Sequence, residues 1–137
     1  KDGKTYKFEA ESEEIDGKEI GMKISGNEIN SDLDGYELQI TGGTDNAGLA
    51  LLPTVEGLSK KRVLLTYGKG MHKRSRREGK KKRSNFTPKG LRLRKTVRGK
   101  VLSPETAQVN LKVLKEGGKK LSEIWPEQNQ KKEEKKK

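Results

Sequence analysis

Residues 41–48, Thr-Gly-Gly-Thr-Asp-Asn-Ala-Gly, form the most patterned stretch of the chain and are the first place to look for chemistry. Two chemistries are open to such a run. Asp45 could serve as a catalytic acid, or the glycines could cradle a phosphate. A phosphate loop needs a Lys followed by Ser or Thr at its end and a helix beyond it, and the sequence offers neither. Acid–base work needs a partner group, and no second carboxylate accompanies Asp45 at a fixed spacing. With one His, His72, and no Cys, there is no triad, no His cluster for a metal, no Cys-based zinc site and no disulfide framework. An enzyme acting on RNA would lack paired carboxylates, a base and metal ligands. Thr41, Gly42, Gly43, Asp45 and Gly48 are therefore read as a structural loop, in which glycine takes φ > 0 and Asp or Thr side chains bond the backbone. No catalytic residue, cofactor, metal or small-molecule substrate is expected.

The chemistry that remains is charge, and it is sorted by position. Residues 1–60 hold 6 Lys against 13 Asp and Glu, residues 61–100 hold 17 Lys and Arg against the single acid Glu78, and residues 101–137 hold 9 Lys against 6 Glu. The net charge is +12. Seventeen cations in so short a stretch repel one another unless an anion lies against them, and nucleic acid is the densest polyanion in a cell.

Within that stretch two parts differ. Residues 73–83 carry no apolar side chain and cannot form a packed element alone, so Lys73, Arg74, Arg76, Arg77, Lys80, Lys81, Lys82 and Arg83 read as an arm contacting phosphate. Residues 91–102 alternate: Leu91, Leu93, Val97 and Val101 share one parity, Arg92, Arg94, Arg98 and Lys100 the other, with Lys95 interrupting the first. That is the period of a strand with an apolar inner face and a basic outer face. A basic membrane-surface helix would interleave bulky apolar residues, which residues 73–83 lack. A localisation tract would not need the second basic surface. Tyr67 and Phe86 at the two ends are no stacking platform. Ser75, Ser84 and Thr87 are hydroxyls among basic residues, Trp125 reads as a packing anchor for the tail, and His72 as an ordinary loop residue.

The elements that must position these side chains are short strands. Tyr6, Phe8 and Ala10 alternate with Lys7 and Glu9; Tyr36, Leu38 and Ile40 alternate with Glu37 and Gln39; residues 62–67 and then Ala107, Val109, Leu111 and Val113 continue the pattern. Gly17, Gly21 and Gly26 break residues 11–32 into turns or short strands, Gly42-Gly43 and Gly48 bracket a tight loop, and residues 49–53 read as buried. The fold class is mainly all-β: a small β-barrel with a basic extended excursion and a C-terminal tail. The domain organisation is one barrel domain over residues 1–116, including a basic arm at residues 69–90, then a polar extension over 117–137. At 137 residues and 28% hydrophobic composition the core is small. No apolar run approaches the ~20 residues of a membrane span, and no signal peptide is visible, which points to a soluble intracellular protein.

Several of these motifs, kept in order, make the chain similar to a known family. It resembles ribosomal protein six of the small subunit, the archaeal and eukaryotic type. That family's Ile-Thr-Gly-Gly-x-Asp-x-x-Gly signature is matched by Ile40, Thr41, Gly42, Gly43, Asp45 and Gly48, with departures at Ala50 and Leu51, where the family usually has Pro and Met. Arg94-Lys95-Thr96-Val97-Arg98-Gly99 looks like its Arg-Lys-Ser-Val-Arg-Gly block. Ser103-Pro104, Asn110-Leu111, Gly3-Lys4-Thr5-Tyr6 and Arg62-Val63-Leu64-Leu65 also fit, so the resemblance covers most of residues 3–117. The family usually has a further strand before Gly3, so the chain is expected to lack an opening segment. Residues 73–88 look longer than the usual connection, and the long phosphorylated C-terminal extension of eukaryotic members is absent, which argues for an archaeal-type or reduced member. The resemblance implies a β-barrel protein bound to ribosomal RNA in the lower body of the small subunit.

The expected function is a structural constituent of the small ribosomal subunit, cytoplasmic and ribosome-bound. Its partners would be small-subunit ribosomal RNA and neighbouring ribosomal proteins, with no membrane. RNA contact would run through Arg92, Arg94, Arg98 and Lys100 on the strand and through the arm. The alternative is a free-standing nucleic-acid-binding regulatory or chromatin-type protein, for which a groove-reading helix or an aromatic platform would be expected.

Overall fold

The clearest alternation in the sequence, Leu38 and Ile40 against Glu37 and Gln39, becomes the central strand of the larger sheet. The computed structural model describes residues 3–9, 13–72 and 89–129. In it β1 (Lys23–Ser25), β2 (Glu37–Asp45) and β5 (Thr106–Lys115) form an antiparallel sheet in the order β1-β2-β5. The strands β3 (Lys60–Thr66) and β4 (Arg92–Arg98) pair antiparallel as a second, two-stranded sheet. The all-β reading holds, and single bridges link the sheets rather than a continuous ladder. Thr44 of β2 bridges Ala50, and the next residue, Leu51, bridges Arg98 of β4 in parallel. The bonds Arg98 N–H to Ala50 O and Leu52 N–H to Arg98 O, both 3.1 Å, seat β4 against that crossing segment.

Side-chain period sets where the core lies. Leu38 and Ile40 of β2 and Ile24 of β1 face Leu33, Tyr36, Leu51 and Leu102, all buried, while the half-buried Val109, Leu111 and Val113 of β5 close one side. A smaller cluster of Leu52, Val55 and Val97, with Val63 and Leu65 against it, lies under the second sheet. Burial pushes the Tyr36 hydroxyl pKa up, and that hydroxyl donates to the Lys119 carbonyl at 2.5 Å. A buried phenol needs such a partner.

Two expectations are corrected. Gly42 and Gly43 do not bracket a loop. They lie inside β2, and the turn comes only at residues 46–48, where Gly48 takes φ +76°. Their small size serves close approach: a Cβ on Gly43 would sit 2.6 Å from the Gln108 carbonyl oxygen of β5, beside a register shift between Ile40 and Gly42. Residues 6–10 are expected as a strand; Ala10 lies outside the described residues, and residues 6–9 have no ladder partner among the described residues. Tyr6 and Phe8 are half-buried by Trp125, whose ring stacks on Phe8 at 5.1 Å between centroids. Their backbone is served by side-chain amides instead. Gln128 accepts from Lys7 N–H at 2.7 Å and donates to Lys7 O at 2.5 Å, and Asn129 donates to Thr5 O at 2.8 Å. Trp125, Leu121 and Ile124, the last two from the short helix α1 (Leu121–Ile124), all pack on the main core.

Candidate nucleic-acid interface

The ladder of β3 and β4 fixes which side chains share a face. Lys60 pairs with Arg98, Arg62 with Thr96, Leu64 with Arg94 and Thr66 with Arg92, and directly opposed residues of an antiparallel pair project to the same side. Of the alternate set, Val63, Leu65, Leu93 and Val97 turn inward and are buried or half-buried, while Lys61 and Lys95 stay exposed. Arg92 and Arg94 therefore stand on an outer face, both exposed, as the alternation in the sequence requires.

The pairing adds two residues that the one-dimensional pattern missed. Arg62 joins the same face, and so does Leu64, which is 54% exposed directly opposite Arg94. The sequence shows residues 62–67 only as a strand; which of their side chains meets which arginine depends on register. Among the described residues no carboxylate pairs with Arg62, Arg92 or Arg94.

Arg98 and Lys100 do not belong to that exposed face. Arg98 has the parity of Arg92 and Arg94, but its side chain is 7% exposed. Its Nη1 lies 2.9 Å from Asp45 Oδ2 and 2.5 Å from Glu105 Oε2, and its Nε donates to Leu58 O at 3.1 Å. Parity sets direction only, and at this level the end of β2 and the turn before β5 cover the sheet. The contact with Asp45 is electrostatic rather than a well-aligned hydrogen bond, and Lys60 adds a second cation 3.3 Å from the same oxygen. Burial pulls the Asp45 carboxyl upward, but Arg98 and then Lys60 outweigh it and hold the pKa below its ordinary value. The hydrogen bond from Arg98 likewise holds Glu105 low, and Glu105 and Asp45 together raise Arg98. Lys100 is engaged by Glu56 at 2.8 Å and Glu19 at 3.0 Å, which raise its pKa. Asp45 is thus a buried counter-ion, a role its loop-like sequence did not signal.

The arm candidates Lys73, Arg74, Arg76, Arg77, Lys80, Lys81, Lys82 and Arg83 lie outside the described residues. The root from which the segment leaves β3 is described. Met71 is fully buried, Gly68 and Met71 bridge each other, Lys69 Nζ donates to Thr41 O at 3.1 Å, and Tyr67 meets His72 edge to face at 5.5 Å. Among the described residues no group of His, Cys, Asp or Glu is placed to hold a metal. No helix there is long and apolar enough to cross a membrane.

The domain is small and all-β, with the buried Asp45 matched by Arg98 and Lys60, and with Arg62, Arg92 and Arg94 exposed together on one sheet face. The family model for Ribosomal protein S6e matches residues 1–126. The small ribosomal subunit protein eS6 of Methanococcus maripaludis is 41% identical over 117 residues, covering 85% of this chain and 82% of that protein. Its counterpart in Methanocaldococcus jannaschii is 39% identical over 126 residues, covering 90% and 83%, and the one in Methanosphaera stadtmanae 34% over 133 residues, covering 95% and 91%. The chain belongs to the Ribosomal protein S6e family, a family of structural, non-enzymatic ribosomal proteins, as the motif resemblance implied.

Proposed function

We propose that this chain is a structural constituent of the small ribosomal subunit, in the cytoplasm. It binds ribosomal RNA through Arg92 and Arg94 of β4 together with the basic arm of residues 73–83, beside neighbouring ribosomal proteins. The observation that carries the reading is the pair Arg92 and Arg94, exposed and unmatched by any described carboxylate, on a strand that Leu93 and Val97 anchor from its other face. An RNA duplex hides its major groove from side chains, so phosphates, 2′-hydroxyls and shape carry recognition. The planar fork of Arg can bridge phosphate oxygens. Arg98 and Lys100 are left out of the contact set because their charges are already matched inside the protein.

The test is binding of the full chain to small-subunit ribosomal RNA over a series of salt concentrations. Neutralising about 6 phosphates gives a log–log slope near −4 to −5. A slope shallower than about −2 would overturn the phosphate-led reading. Strong discrimination among single-stranded sequences of equal length, or loss from small subunits at moderate salt, would favour the free-standing regulator.

A further inference from the structure

The outer face of β3 and β4 is more than a row of positive charge. Arg92 and Arg94 are alternate residues on one strand, about 7 Å apart. Arg62 lies diagonally across the ladder from Arg94, at about the same spacing. That step is close to the distance between successive phosphates of a nucleic-acid strand. Leu64 stands between them, opposite Arg94 and two residues from Arg62 on the same face. Thr66 and Thr96, opposite Arg92 and Arg62, place hydroxyls at its margin, both exposed.

An exposed leucine ringed by three guanidiniums that no described carboxylate pairs is poorly suited to water, because each charge nearby draws solvent onto an apolar surface. It suits a ligand that alternates charge with an uncharged, partly apolar unit at the same repeat. A ribose–phosphate strand is such a ligand: phosphates meet the arginines, the carbon face of a sugar covers the leucine, and 2′-hydroxyls reach the threonines. An acidic protein segment would match the charge but leaves the leucine and the even spacing without a role.

We infer that Arg62, Leu64, Arg92 and Arg94 form a preformed seat for one ribose–phosphate strand, with Arg62 contributing a phosphate contact and Leu64 an uncharged sugar contact. The inference rests on the RNA-binding reading above and deepens it, by naming the backbone of RNA as what this face holds. Electrostatic contacts release counterions and weaken with salt, whereas the burial of Leu64 does not. The two contributions can therefore be separated in one experiment.

The full chain, Arg62→Gln, Leu64→Gln, the double variant Arg92→Gln/Arg94→Gln and the control Leu114→Gln would be titrated against small-subunit ribosomal RNA at several salt concentrations. Leu114 is 41% exposed and lies on β5, in the other sheet. Every substituted side chain is exposed, so the β-sheet circular dichroism should be unchanged. Arg62→Gln should weaken binding roughly fivefold near physiological salt and reduce the slope by about one. Leu64→Gln should weaken it by a similar factor, roughly fivefold, with the slope unaltered. Leu114→Gln should bind as the parent does. If Arg62→Gln and Leu64→Gln bind normally while the Arg92/Arg94 variant is weakened, the seat does not exist but RNA binding stands. Equal losses for Leu64→Gln and Leu114→Gln would reduce the leucine to non-specific contact and overturn the inference. Normal RNA binding by both single variants, with an acidic ribosomal protein failing to join them in reconstituted subunits, would assign the face to protein instead. A parent chain that does not bind the RNA would bring down the functional reading itself.

Discussion

Arg98 is the last residue of β4 and Asp45 the last of β2, strands of different sheets, yet Nη1 and Oδ2 meet at 2.9 Å with both side chains buried. The pair closes the corner that the Leu51–Arg98 bridge begins. Arg98→Gln should therefore act on the whole fold, because it leaves the Asp45 carboxylate buried with the half-exposed Lys60 as its counter-ion and the Asn46 N–H on its other oxygen. The thermal midpoint should fall by something on the order of 10 °C. The double variant Asp45→Asn/Arg98→Gln should lose less than the sum of the singles, which calorimetry on all three proteins would check.

The same corner sets the response to acid. Asp45, where the nearby cations outweigh burial, and Glu105, through its bond from Arg98, both have pKa values lowered by folding. Over that range the unfolded chain binds more protons than the folded one, so stability rises with pH. The contribution is complete above the ordinary carboxylate range and is lost as pH falls below about 4 through the depressed folded values. Urea midpoints between neutrality and pH 3 should drop steeply at the acid end, and Asp45→Asn should flatten that drop. An unchanged pH profile in the variant would show that other carboxylates govern acid unfolding.

Gly43→Ala tests whether that glycine is needed for space. A methyl there meets the Gln108 carbonyl oxygen at 2.6 Å and has Leu51 on its other side at 3.6 Å. The β2–β5 ladder must open locally, at a cost of about 1–3 kcal/mol. Gly48→Ala, with nothing within 4 Å but φ +76°, should cost less, about 1 kcal/mol from backbone strain alone.

Trp125→Ala removes the ring that stacks on Phe8 and shields Tyr6. For a half-buried indole a loss of about 2 kcal/mol is expected. The more specific readout is the Lys7 amide, which donates to the Gln128 side chain. Its hydrogen exchange should accelerate in the variant. A Lys7 amide as slow as in the parent would show that Gln128 holds residues 3–9 without help from the ring.

Strand and arm cations should differ in their worth per charge. The ladder holds Arg92 and Arg94 at a fixed spacing, whereas the sequence of residues 73–83 offers no apolar side chain to preorganise its cations, and preorganisation lowers the cost of binding. Replacing each set by Gln should show a larger affinity loss per charge for the strand pair and a larger change in salt slope for the arm. Equal loss per charge would mean that preorganisation contributes nothing.

What the sequence disclosed follows from what a single dimension can hold. Strands β2 to β5 were visible because one face of each is buried, which imposes a period of two on residues such as Leu38 and Ile40 or Val109 and Leu111. Arg98 was misplaced by that same rule, since the period gives a direction and cannot say that Asp45 covers it from another strand. Gly42 and Gly43 look like turn residues because a glycine needed for close approach and one needed for φ > 0 are the same letter. Residues 3–9 alternate like a strand because Tyr6 and Phe8 do bury one side, but among the described residues their backbone meets amides from Gln128 and Asn129 rather than a paired strand. Arg62 and Leu64 entered the candidate site only with the register of β3 on β4.

Those amides have a topological consequence. Asn129 reaches Thr5 and Gln128 grips Lys7, so two stretches more than a hundred residues apart in sequence lie side by side in space. The described chain is almost a ring. A short linker from residue 129 to residue 5 would close it with little rearrangement, and new ends could be opened in the exposed turn at Pro53 and Thr54. Such a circularly permuted chain would keep both sheets and the arginine face while carrying its termini on another side of the molecule.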